Sequence, residues 1–447
     1  MFPSVKGAES HPTGERILML GKSTRATHRR FGSHVAMALA LAAGGMLGSA
    51  VLATPAYAQK KEKAVKEANS QGFADAYDPF GAIVNDPAGD YAAAKAMVPA
   101  VRAAVENDLD KFTMGNAMIA LGGKLKDIDL QKQGITLALE SGRVAPDQIG
   151  LFQYYLGRFA YEAGSFAEAR GHYQAALAAG YTDGEPDVLI AETYFKNNEP
   201  AEGLRYLAGL IDKRRASGGQ VPESWLKRGQ AVAVEAKLAD EAAAYSRMLL
   251  ADHASQDNWR RAVSVVAMLN RMDEQGQLDL LRLMRATDTL EQRQQYAEYV
   301  ETASRNGLPN EVLAVLDHGV SKGVYNPNDG YYTEARSLAE VKAKEDAGDA
   351  AKLAGEARAA SSGVTASGTG DLFFSLGKYA EAADMYQVAL EKGSRDRELT
   401  LTRLGMSQVL AGQHDAGKAT LEQVAGERAP IARIWAAYAD TKGAAGA

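Results

Sequence analysis

The stretch LGRFAYEAGSFAEARGHYQAA, Leu156 to Ala176, decides how the rest of the chain is read. Its small and apolar residues recur at steps of three and four, the spacing that gathers them on one face of a helix. Gly164 falls where that helix would stop, because a left-handed cap favours glycine. Phe166 opens a second helix, on which Ala169, Tyr173 and Ala176 share a face. A second copy runs from Gly370 to Ala389, GDLFFSLGKYAEAADMYQVA, with Phe373, Gly377, Tyr379, Ala382 and Tyr386 in the same places. Both copies carry glycine, any residue, an aromatic, then Ala-Glu-Ala, with another aromatic four residues beyond the last alanine.

Working outward by 34 residues, Gly157 leads to Ala191 in Ile190–Tyr194, with Asn198 at the turn and Leu207 where the second-helix aromatic belongs. Trp225 and Gly229 open a unit that closes on Leu238 and Tyr245, and Trp259 opens the next. A further unit runs from Tyr296 through Gly307 to Leu316, and a last one through Leu404, Gly405, Gly412, Gly417 and Leu421. These residues resemble the tetratricopeptide repeat. The resemblance covers roughly residues 145–430 and implies an all-α fold: an α-solenoid of stacked antiparallel helical hairpins, about eight of them, winding through about one superhelical turn. One such hairpin cannot bury its apolar face alone, so neighbours must stack to make a continuous core.

The resulting organisation is a charged, polar tether over 59–86, divergent hairpins over 87–145 turning near Gly122 and Gly123, and a repeat array over 146–361. Within the array, 331–361 is expected to be a hairpin turning at Gly348. The Ser/Gly-rich stretch 359–370 is expected to interrupt the stack and set off a C-terminal pair of hairpins over 362–430, followed by a terminal helix and a disordered tail over 431–447.

The composition agrees with this class and excludes others. The 447 residues are 46% hydrophobic but only 7% aromatic, the hydrophobic share being rich in alanine, the strongest helix former. The charged share is 24%, which suits a folded soluble chain. With no cysteine, disulfides, thiolate metal sites and cysteine nucleophiles are impossible. Net charge is −6, and removing the six basic and two acidic residues of 1–58 leaves 44 basic and 54 acidic, or −10. Such a chain offers no basic face beyond Lys60, Lys61, Lys63 and Lys66, so nucleic acid is not an expected partner.

The N-terminal segment reads as an address. Arg25, Arg29 and Arg30 precede an apolar run from Val35 to Leu52, which ends in Thr54-Pro-Ala56-Tyr-Ala58. A positive start, an apolar centre and small residues at 56 and 58 are the features of a secretory signal peptide, with the cut between Ala58 and Gln59. The alternative is an uncleaved anchor, but a spanning helix needs about 20 strongly apolar residues and this run is alanine-rich and broken by Gly44, Gly45 and Gly48. Phe31-Gly32-Ser33 departs from the twin-arginine pattern, so the general secretory route is expected, with a bacterial periplasmic or secreted destination. No further run of spanning length follows Ala58.

Chemistry is hard to find. His172, His253, His318 and His414 are isolated, Gly122-Gly123-Lys124 lacks the spacings of a phosphate loop, and no nucleophile elbow occurs. Pairs such as Asp240-Glu241 and Asp273-Glu274 read as solvated charge. No catalytic residue, metal site or cofactor is assigned, and an enzyme with an unrecognised site is the remote alternative. The expected working surface is the face of the first helices. Tyr154, Arg158 and Tyr161 fall on one stripe there, with Val188, Glu192 and Phe195 at the matching places of the next unit, as aromatics and a charge for an extended peptide. The competing reading makes Tyr154, Tyr161 and Phe195 packing residues between repeats. The expected function is an exported, non-catalytic scaffold or adaptor for a protein or peptide partner in the envelope. A scaffold subunit of polysaccharide or envelope-building machinery is the second reading.

Overall fold

The computed structural model describes residues 67–445, so the expected cut between Ala58 and Gln59 lies outside the described residues. Among those residues are twenty α-helices, one short 3-10 turn and no strand. The chain divides into two compact units, with the boundary after Phe152.

The first unit contains α1 (Gln71–Asn85), α2 (Tyr91–Ala103), α3 (Asp108–Leu125), α4 (Ile128–Glu140) and the beginning of α5 (Pro146–Glu162). α1 corrects the expectation of a tether over 59–86. Phe73, Tyr77, Phe80 and Val84 stand at steps of four, three and four, and Phe73 and Phe80 are fully buried in a core with Met114, Met118 and Leu121. The apolar period outweighs the polar count of the segment. Asp110 fixes the entry to α3. It is fully buried and accepts from the Ser70 amide and hydroxyl and from the Glu106 and Asn107 amides. Burial pushes its carboxyl up, but these donors outweigh it and hold the pKa below the ordinary value.

The turn expected near Gly122 and Gly123 is displaced. Both glycines lie inside α3, and the chain reverses at Lys126, in the left-handed region at φ 56°, with Asp127 capping α4. The glycines of this unit serve a crossing instead. A Cβ on Gly115 would stand 2.7 Å from the Ala138 nitrogen, and one on Gly134 would stand 2.7 Å from the Gly115 oxygen, so α3 and α4 touch backbone to backbone.

The second unit is a tetratricopeptide-like stack. Its hairpins pair α5 with α6 (Phe166–Ala178), α7 (Pro186–Lys196) with α8 (Pro200–Ala216), and α9 (Glu223–Glu235) with α10 (Ala239–Asp252). α11 (Gln256–Leu269) and α12 (Glu274–Ala286) follow, then α13 (Arg293–Arg305) and α14 (Pro309–Ser321). A long α15 (Gly330–Ala359) separates these from α16 (Gly363–Ser375) with α17 (Tyr379–Glu391) and α18 (Arg397–Leu410) with α19 (His414–Leu421). A 3-10 turn, Gly426–Arg428, leads into α20 (Ala429–Ala445). Gly164, Gly377 and Gly412 take φ of 78°, 71° and 84° between paired helices, the left-handed region that side chains avoid.

Each well-formed hairpin has one internal key. A glycine of the first helix faces a bulky residue sixteen positions later: Gly157 against Tyr173, Gly229 against Tyr245, Gly370 against Tyr386, Gly405 against Leu421. A Cβ on Gly157 or Gly370 would come within 2.7 Å or 2.6 Å of the tyrosine ring. In α7 and α8 the same places hold Ala191 and Leu207, both buried.

Two further expectations fail in this unit. Residues 331–361 do not form a hairpin at Gly348, because α15 is one helix of 30 residues. Glycine inside a helix costs about 1 kcal/mol, whereas Ala339, Ala343, Ala350 and Ala357 are buried along the inner side of α15. The stretch 359–370 does not set off a separate C-terminal pair either. One apolar core runs from Leu250 through Leu316, Phe373 and Tyr386 to Trp435 and Tyr438. α20 packs on α19 and also on α10, α11 and α12, so the helices from α10 to α20 close a circuit. Trp259 of α11 meets Tyr438 edge to face, with ring centres 5.8 Å apart. Of the tail, 443–445 belong to α20, and 446–447 lie outside the described residues.

Candidate functional site

The sequence points to the exposed side of the first helices, and the structure divides the six residues expected there. Tyr161, Glu192 and Phe195 come together around a residue that was not expected, Arg228 of α9. Arg228 donates from Nε and Nη2 to the two Glu192 carboxylate oxygens at 2.7 and 2.8 Å. Its guanidinium lies 5.3 Å from the centre of the Phe195 ring. The paired carboxylate, opposed by partial burial, raises the Arg228 pKa further above its ordinary value. Tyr161 packs edge to face on Phe166 at 5.3 Å, and burial, reinforced by the Glu192 charge, raises its phenol pKa. The Arg228 side chain remains 41% exposed.

The other three expected residues make contacts elsewhere. Tyr154 packs among Tyr155, Tyr173 and Tyr181, with centroids 5.2–5.9 Å away. Arg158 donates to Glu162, one turn along its own helix, at 3.1 Å. Val188 is half-buried against the core shared by α7 to α10. The glycine key steps 34 residues from Gly157 to Ala191 but 38 from Ala191 to Gly229, and Arg228, one residue before the key, lies off the stripe that Tyr154, Arg158 and Tyr161 define. Counting from Glu192 by that key leads to Gln230, which donates to Ser246 at 2.8 Å and accepts from Arg261 at 3.2 Å. Polar links therefore run from α7 to α9 and from α9 to α11.

A second cluster, unforeseen in the sequence, lies inside the closed circuit. Asp279 of α12 is fully buried and accepts from Arg282 at 2.9 Å and from Arg428 at 3.0 Å, with Arg403 Nε at 3.5 Å. Arg282 also donates two bonds to Glu311, at 2.8 and 2.7 Å, and the Tyr299 hydroxyl donates to Glu311 at 2.6 Å. Arg403 donates to Asp371 at 2.6 Å, as does Tyr386, and it reaches back to Gln275. Trp435 Nε1 donates to the Asp279 carbonyl at 3.0 Å. Asp273, read from sequence as solvated charge, caps α12 through Gly276 and takes Arg428 at 3.3 Å.

Burial raises the Glu311 carboxyl, but Arg282 and its hydrogen bonds more than reverse this and hold the pKa at about 2. Arg282 loses affinity for its proton by burial and regains more from Glu311 and Asp279, ending well above the ordinary value. Each of these charges has a partner of opposite sign, so the chemistry is that of a fastening: α12, α14, α16, α18 and the turn before α20 are joined through Asp279 and Arg282.

The four histidines outside the N-terminal segment stay apart. His172 bonds Gln153, and His253 bonds the Val221 carbonyl. Among the described residues there is no group of three or more His, Cys, Asp or Glu that could hold a metal, and no helix long and apolar enough to cross a membrane.

Comparison with protein families and with curated proteins returns no match. Solved structures do match. The TPR2AB-domain:pHSP90 complex of yeast Sti1 is similar at 16% identity over 67% of this chain and 95% of that one, with a TM-score of 0.24. Yeast Tom70 matches at 10% identity, over 83% and 96%, with a TM-score of 0.21. The P58(IPK) TPR domain matches at 12% identity, over 76% and 98%, with a TM-score of 0.19. At these scores the fold rests on the helix pairs and glycine keys of the chain itself.

Proposed function

We propose that this chain is an exported, non-catalytic scaffold that holds a protein segment against the first helices α5, α7 and α9. The observation that carries this reading is Arg228. Two bonds to Glu192 and the Phe195 ring beneath it fix the guanidinium in place, yet its side chain is 41% exposed. An arginine has five N–H donors, so the remaining ones stand ready for peptide carbonyls without the usual cost of ordering a long side chain. Tyr161 borders it with apolar surface. A saccharide ligand needs open ring faces, and here Phe195 is covered by Arg228 while Tyr154 is taken up by three tyrosines. That contrast favours a peptide over a polysaccharide.

The expected result is selective binding on a peptide array and no comparable signal on a glycan array. Arg228→Ala with Tyr161→Ala should then weaken the selected peptides at least tenfold, about 1.4 kcal/mol, with helicity by circular dichroism unchanged. Equal binding by the double variant would overturn the site.

The exported location rests on Arg25, Arg29 and Arg30, the apolar run after Val35, and the small residues Ala56 and Ala58. N-terminal sequencing of protein recovered from the bacterial envelope fraction should begin at Gln59, and an intact N-terminus on that material would exclude cleavage there.

A further inference from the structure

We propose that α15 is a self-association helix, which pairs antiparallel with α15 of a second copy about a two-fold axis at Leu338. Leu338 and Val341 are 67% and 65% exposed, the most exposed large apolar side chains among the described residues. They lie one turn apart on a single stripe of α15 with Glu334, Ala335 and Lys342. The inner side of the helix is taken by Ala339, Ala343, Ala350 and Ala357, so Leu338 and Val341 are left exposed, with Ala335 half-buried at the edge of the core. Beside it is a cleft of about 530 Å³, walled by Val300, Leu308 and Val312 and by Glu334, Leu338 and Lys342 of the stripe itself. Exposed apolar surface next to a cleft with an apolar wall and a charged rim marks a contact surface.

The arrangement of charge selects the occupant. A two-fold interface must be complementary to itself. In an antiparallel pair centred on Leu338, residues equally spaced before and after it meet. Leu338 meets Leu338 of the second copy, Val341 meets Ala335, and Glu334, four residues before the axis, meets Lys342, four residues after it. Both Glu334–Lys342 contacts pair opposite charges; among the described residues Glu334 makes no salt bridge, and Lys342 has only the weaker attraction of Asp346, one turn along its own helix. Between the two pairs lies an apolar centre flanked by the cleft, as in a short two-helix seam with charges at its edges.

Because the chain has no cysteine, Leu338→Cys introduces a single thiol at the axis. In the full chain treated with a copper–phenanthroline oxidant, this variant should form a disulfide-linked dimer at least tenfold faster than Val364→Cys, a 56% exposed position off the stripe. In sedimentation velocity, Glu334→Lys and Lys342→Glu should each weaken dimerisation at least tenfold, and the two together should restore it. Equal cross-linking at 338 and 364, or association indifferent to both charges, would overturn the pairing. So would a double variant that remains monomeric, which would assign the stripe to a different partner.

Discussion

Asp279→Ala is expected to lower the stability of the second unit by about 3–5 kcal/mol, because it removes a buried carboxylate shared by two arginines and leaves Arg428 without a buried counter-charge. Asp279 is fully buried and is shared by Arg282 and Arg428, with Arg403 nearby. Arg282 keeps Glu311 and Arg403 keeps Asp371, but Arg428 is left with Asp273, whose carboxylate is 64% exposed. The Trp435 bond to the peptide oxygen of residue 279 survives the substitution, so the loss reports charge rather than the docking of α20 as such. Urea unfolding followed by tryptophan fluorescence reads it directly, since Trp435 bonds the Asp279 carbonyl and Trp259 packs on Tyr438 of the same helix; a change under 1 kcal/mol would mean that water enters and replaces the carboxylate.

Acid provides a check on the same cluster without mutation. Glu311 has its pKa held at about 2 against an ordinary 4.5. A carboxyl depressed by folding contributes stability that is complete above its unfolded value and disappears as pH falls through the folded one. The contribution should therefore decline between about pH 4.5 and pH 2, by on the order of 3 kcal/mol. Glu311→Gln should flatten the stability curve in that window.

The parts of this chain that were legible in sequence are those governed by local periodicity. Gly157 with Tyr173 and Gly370 with Tyr386 announce hairpins, because a missing side chain and a large ring must meet wherever two helices touch. The closed circuit was not legible. Asp279 and Arg282 stand three apart on α12 like any surface ion pair, and their burial depends on Arg403 and Arg428, more than 120 residues away. Gly348 misled for a related reason: local propensity predicts a break, and the alanine seam that overrides it acquires meaning only once α14 and α16 are in place. At the candidate site, the period places Tyr161, Glu192 and Phe195 on one stripe, and Arg228 was missed because it stands one residue before Gly229, off that stripe, and meets Glu192 only once α7 and α9 are packed. Position within a repeat is readable from the step of the key, but a contact that a neighbouring repeat makes from outside the stripe is not.

The glycine key yields a sharper test than any deletion, since the chain contains its own control. Gly229→Ala should destabilise by about 2–3 kcal/mol, at the upper end for overpacking, although alanine is otherwise the better helix former by about 1 kcal/mol. The added methyl would clash with the edge of the Tyr245 ring. That ring cannot swing away without breaking the bond from its hydroxyl to the Leu204 carbonyl, 2.7 Å long and buried. Tyr245→Leu alone should cost a similar amount, through the cavity and the lost bond. Together the two substitutions recreate the pair that α7 and α8 already use, Ala191 with Leu207, in which both residues are buried without a clash. The double variant should be more stable than the sum of the singles predicts, with a coupling of about 2 kcal/mol. Thermal melts of the four proteins would measure it. Additive losses would mean that Gly229 serves the backbone of α9 and not the ring of Tyr245. A favourable coupling would show that one hairpin of the stack can be rewritten in the residues of its neighbour.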